Sequence, residues 1–181
     1  MTKIPAAFHK RLGLIAALAL ACLAMPAAAR ADWDWTRWGM PASEVIAGSK
    51  GEVAPVDGAP GQRVNGWDLK ATGDIRRDGL AFRAELFFDP DGQALHLVRL
   101  TLEDPGRCPK LLKRLRQRHG APRDESVVLP VGSERVTLTL LKWDDDGRGN
   151  FLALTALPPV GESPGQCFIR YRPLTEPDPR Q

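Results

Sequence analysis

One segment of this chain restricts its fold more than any other. Leu80, Phe82, Ala84, Leu86 and Phe88 alternate with Ala81, Arg83, Glu85 and Phe87. Successive side chains of a strand point to opposite faces, so this period of two describes a half-buried strand. Asp89-Pro90-Asp91-Gly92 supplies a turn after it, and residues 94–102 return as a second β-rich run. A weaker strand is expected over 64–72, around Trp67 and Leu69. Three more are expected over 135–143, 150–157 and 166–172. The clearest helix is Cys108–His119. Cys108, Leu111, Leu112, Leu115 and His119 share an arc of about 100°, and Lys110, Lys113, Arg114, Arg116 and Arg118 lie outside it. Pro109 suits its first turn and Gly120 its end. A shorter helix opens at Gly39-Met40-Pro41 and closes at Gly48.

The order is then helix, three strands, helix, three strands. Phe88-Asp89-Pro90-Asp91-Gly92 and Trp143-Asp144-Asp145-Asp146-Gly147 share an aromatic-Asp-x-Asp-Gly pattern, one in each half. The sequence thus predicts an α+β fold: a single domain over 32–172 made of two αβββ units, about 38–103 and 107–172. Its helices would pack on one face of an antiparallel sheet. Residues 48–66, with five glycines and two prolines, read as loop. Residues 173–181 read as a flexible tail.

Ahead of this domain the chain carries an export signal. Lys3, Lys10 and Arg11 precede an apolar run over 12–23, and Pro26 precedes Ala27-Ala28-Ala29-Arg30-Ala31. That is the order of a cleavable signal peptide, with cleavage expected after Ala29 or, preferably, Ala31. As a helix the apolar run would be only ~18 Å long, too short to span a bilayer. Cys22 is the one candidate for lipidation, and the apolar run continues past it. Residues 1–31 hold four basic residues and no acid. Without them the 25 basic and 22 acidic residues of the chain become 21 and 22, a net charge of −1. The basic character of the precursor therefore gives no reason to expect a nucleic-acid partner. Cys108 and Cys167 remain, and an even pair in an exported chain reads as a disulfide. The bond would join the apolar arc of the second helix to the strand face shared by Cys167, Ile169 and Tyr171. The expected location is periplasmic or secreted, with no transmembrane segment after cleavage.

Three short patterns resemble a known family. Gly39-Met40-Pro41-Ala42-Ser43-Glu44-Val45 is similar to the helix start of the SmpA/OmlA small envelope proteins, whose αβ repeat is shared with β-lactamase-inhibitor-like domains. Gly120-Ala121-Pro122 after Leu115 resembles the helix ending of such units, and Phe88-Asp89-Pro90-Asp91-Gly92 resembles their hairpin. The resemblance implies a binding or scaffolding module.

No nucleophile elbow, phosphate-binding loop or His-Glu-x-x-His pattern occurs. His96 and His119 read as structural, and no catalytic residue, cofactor or metal site is expected. The two Asp-rich turns could hold calcium, yet they lack the ligand spacing of an EF-hand, and Asp and Gly also suit tight hairpins. Lys110, Lys113, Arg114, Arg116 and Arg118 form a basic helix face that could meet an anionic partner or simply be solvated. Trp33, Trp35 and Trp38 could anchor a partner if exposed, or strap the domain's own core. The expectation is a non-enzymatic module that binds an envelope or extracellular protein through the sheet face, the Trp segment or loop 48–66. An inhibitor of an extracellular hydrolase, or an enzyme with an unrecognised site, are the alternatives. The sequence leaves the oligomeric state open.

Overall fold

A computed structural model describes residues 32–56, 62–132 and 134–174. The signal peptide read at 1–31, residues 57–61 of the expected loop and the tail from 175 lie outside the described residues. The elements in chain order are α1 (Ala42–Gly48), β1 (Ala54–Pro55), β2 (Arg63–Val64), β3 (Trp67–Arg77), β4 (Leu80–Phe88) and β5 (Leu95–Leu102). After the 3₁₀ turn Pro105–Arg107 come α2 (Cys108–His119), β6 (Arg123–Asp124), β7 (Val127–Val131), β8 (Glu134–Asp145), β9 (Asn150–Leu157) and β10 (Gln166–Pro173). The strands form one antiparallel sheet in the order β1-β3-β4-β5-β10-β9-β8-β6, with β2 also on β3 and β7 also on β8.

This corrects the α+β expectation. Among the described residues the molecule is mostly antiparallel sheet, with ten strands where six were expected, and its two helices there are short, seven and twelve residues. Two αβββ units do not describe it. The glycine-rich stretch 48–66 holds β1 and β2, and the stretch after α2 holds β6 and β7. The physical reason is turn chemistry. Asn65-Gly66 and Asp78-Gly79 both have positive φ at both residues, the backbone that two-residue hairpins need. They turn β2 into β3 and β3 into β4, so β3 runs eleven residues where a weak strand was expected.

One face of the sheet is the core. Ala71 and Ile75 of β3, the alternating set of β4, and Leu95, Val98, Leu100 and Leu102 of β5 line it. Cys167 and Ile169 of β10, Leu152 and Leu154 of β9, and Leu141 and Trp143 of β8 continue it. Val45 of α1 and Leu111 and Leu115 of α2 close the same cluster. α2 is tied down at its start by the Cys108–Cys167 disulfide, with Cα atoms 5.8 Å apart. At its end Gly120 accepts a bond from Trp143 Nε1 at 3.0 Å. Gly73 is where the segment after α1 crosses β3: a Cβ there would lie 1.9 Å from the Glu52 carbonyl oxygen. The two motifs of the family resemblance touch each other. Ala42 N–H donates to Gly92 O, and Gly39 and Met40 bond Leu95.

Candidate binding surface

The tryptophans belong to the fold's own packing. Trp33 is buried in the core cluster, and Trp35 and Trp38 pack against it. Trp35 Nε1 donates to Val45 O at 3.0 Å and Trp38 Nε1 to Asn150 Oδ1 at 2.8 Å. Arg77 lies over the Trp35 ring and pairs with both Asp34 and Glu52. These two carboxylates hold the Arg77 guanidinium above its already high range, with Glu52 the stronger. Residues 32–38 are therefore a strap that joins α1, β3 and β9. Of the two readings of the tryptophans, the packing matches the strap: Trp33 is buried, and Trp35 and Trp38 are half-buried and bonded within the fold.

The basic face of α2 divides. Lys110, Lys113 and Arg116 are exposed. Arg114 donates to Asp78 O, Arg118 reaches Asp78 Oδ2 at 3.2 Å, and Arg107, just before the helix, reaches Gly79 O at 3.3 Å. These arginines pin the β3–β4 turn. The Asp-rich turns likewise serve the fold. Asp89 Oδ1 accepts from Ala94 N–H, which holds that carboxyl below its usual range, and Asp144 pairs with Arg123. Among the described residues no cluster of His, Cys, Asp or Glu is placed to hold a metal. His96 stacks flat on Trp67, centroids 5.2 Å apart. His119 is largely buried, 3.7 Å from Asp145 Oδ2. Burial lowers its pKa, the Asp145 charge opposing and Arg118 and Arg148 adding to the shift. Burial likewise pushes the Tyr171 hydroxyl up to about 12.

Two surfaces remain, and both lie away from the core face. The first is the opposite face of the sheet. Phe87, Leu97, Phe151 and Ala153 are buried, yet none belongs to the core cluster. By strand alternation they share their face with Arg83 and Glu85 of β4, Arg99 of β5, Phe168, Arg170 and Arg172 of β10, and Lys142 of β8. Cations sit on rings throughout. Arg172 is 4.1 Å from the centroid of Phe151, Arg99 is 5.2 Å from that of Phe87, and Arg170 stands over Phe168. The β5–β10 register sets Arg99 directly opposite Arg170 at the middle of the sheet. Glu85 pairs with Arg99 at 2.7 Å and Glu125 with Lys142 at 2.6 Å.

The second surface is β7. Val127, Val128, Leu129 and Val131 are 40–52% exposed, the large apolar side chains most open to solvent. A shallow cavity of about 410 Å³ lies at the start of α2. It is lined by Cys108, Thr137, Thr139, Ala156 and the Pro158-Pro159 pair, where the core face extends past the helix start. Sequence reasoning named the sheet face only in general terms and did not mark β7. Its signal was present in Val127-Val128-Leu129, an apolar run with no charge.

No helix is long and apolar enough to cross a membrane among the described residues. In comparisons with known proteins no family model matches the chain, and no curated protein or solved structure matches it either, so the SmpA/OmlA resemblance stands on its motifs alone.

Proposed function

We propose that this chain is an exported, non-enzymatic binding module, periplasmic or secreted, that holds an acidic segment of an envelope or extracellular protein on the face of its sheet opposite α1 and α2. One observation carries the reading. The middle of that face sets Arg99 against Arg170 across the β5–β10 seam, on a floor of Phe87, Phe151 and Phe168. Glu85 already pairs with Arg99 at 2.7 Å, and a further carboxylate arriving at this cationic seam would add charge-assisted bonds to it. Rings that carry guanidiniums keep the cations in place, and of the three rings Phe168 is the half-buried one that an incoming side chain can reach. The Cys108–Cys167 disulfide supports the same reading, since such bonds persist in oxidising compartments.

The test uses the oxidised protein with a photo-crosslinking phenylalanine analogue at Phe168, and a control with the analogue at Lys113 on α2. The expected result in envelope extract is one adduct, at 168 alone, that weakens with added salt and disappears with Arg170→Glu. Equal adducts at both positions, or none at 168, would overturn the reading.

A further inference from the structure

β7 is an edge strand with a specific pairing capacity. Its register against β8 sets Val127 opposite Leu138, Leu129 opposite Val136 and Val131 opposite Glu134. Residues of an antiparallel pair alternate between facing the partner strand and facing away. Glu125 N–H donates to Leu140 O at 2.9 Å on the same ladder. The odd-numbered positions 125, 127, 129 and 131 therefore face β8, and Val128 and Pro130 face outward. Pro130 agrees independently, because a residue with no N–H belongs where the ladder asks for none. Among the described residues no strand lies on this outer edge. Natural edges are commonly blunted with charge, and residues 127–132 carry none.

We infer that two copies of this chain pair through β7, antiparallel, about a two-fold axis at Leu129. In that register Leu129 lies opposite its own copy, Val127 opposite Val131 of the second chain, and Val128 opposite Pro130. All five residues of the strand are covered by apolar partners. Val128 N–H donates to the Pro130 carbonyl of the second copy, and the symmetric bond forms in return. The proline withholds a donor only from the Val128 carbonyl. A register centred on Pro130 would set two prolines against each other with no donor on either side. A two-fold interface requires this kind of self-complementarity, and an uncharged apolar strand supplies it. The net charge of −1 without residues 1–31 adds no long-range repulsion between copies. The two arms would cover roughly 600 Å², about half the lower bound for stable interfaces, so the dimer is weak. Its dissociation constant falls on the order of 0.1–1 mM. This inference rests on the sheet edge and is independent of the ligand proposed for the sheet face.

Sedimentation equilibrium of the oxidised protein without residues 1–31, up to millimolar concentration, is the experiment. The expected result is a monomer–dimer equilibrium that Val128→Pro weakens at least tenfold. Val128→Lys serves the same purpose if the proline variant fails to fold. Under mild oxidation Leu129→Cys links into a covalent dimer. Val131→Cys does not, because its two copies would stand about 14 Å apart. A monomer at every concentration, a dimer indifferent to both Val128 variants, or equal linking at 129 and 131 would overturn the inference.

Discussion

The molecule contains two hairpins of contrasting fate. The β3–β4 hairpin turns at Asp78-Gly79, and its tip is held by three arginines from α2 and the turn before it. Its inward residues enter the core. The β7–β8 hairpin turns just beyond Val131 and leaves four large apolar side chains of β7 exposed. Both are antiparallel ribbons, and the exposed one is the more apolar along its strand. What separates them is support, since α2 lies beside one tip and not the other. Two of the basic residues that suggested a partner surface, Arg114 and Arg118, hold the chain's own turn. A stretch that suggested nothing faces the solvent.

The sharpest way to break this contrast is to release α2. Cys108→Ala with Cys167→Ala frees a bond that closes 59 positions of chain, about 4 kcal/mol on the chain-entropy account. Guanidinium denaturation should show that loss, and hydrogen exchange should show the Asp78-Gly79 turn becoming as open as β7. Next in size is Gly73→Ala on β3, where the new Cβ meets backbone at 1.9 Å. A cost of about 3 kcal/mol is expected, because the Glu52 carbonyl has little room to yield.

A smaller effect comes from pH. Burial lowers the His119 pKa below its ordinary 6.5 in the folded chain, so the unfolded chain binds the extra proton first. Stability is full above pH 6.5 and declines as pH falls through the window beneath it. His119→Gln should flatten that decline in urea midpoints measured from pH 7.5 to 5. Protection at the β3–β4 turn should follow pH in the parent protein, since Arg118 neighbours His119, and protection at β7 should not. The smallest effect is Val128→Lys, which should leave stability unchanged within about 0.5 kcal/mol, as for most surface changes. A larger loss would show that the arm is supported after all.

Parts of the fold were legible in the sequence. Leu80–Phe88, Cys108–His119 and Asn150–Leu157 end where alternation, Pro109 and Gly120 place their ends. The disulfide followed from an even cysteine count on two inward faces. The fold class was misjudged because Asn65-Gly66, a strong hairpin signal, sat inside a stretch read as loop from its glycine and proline content. β7 was missed because a strand exposed on both faces has no alternation to read, and Pro130 argues against a strand unless the edge is already known. The sheet face was half legible. β5 and β10 each show an outward arginine, but only the strand order brings Arg99 beside Arg170, and that order joins the ends of two distant meanders.

That joining also bears on how the chain folds. β3-β4-β5 and β8-β9-β10 can each assemble from sequence neighbours, whereas the β5–β10 seam must bring Leu100 to Ile169 across all that lies between. Such remote closures set the pace of folding, because chain entropy is lost before the contacts repay it. The Cys108–Cys167 bond lies close to one end of this seam. Once it forms, it shortens the search from a long loop to a few residues. The thiol chemistry of the surroundings then acts as a clock: the two meanders can arrive separately in a reducing environment, and the full sheet is assembled quickly only after oxidation.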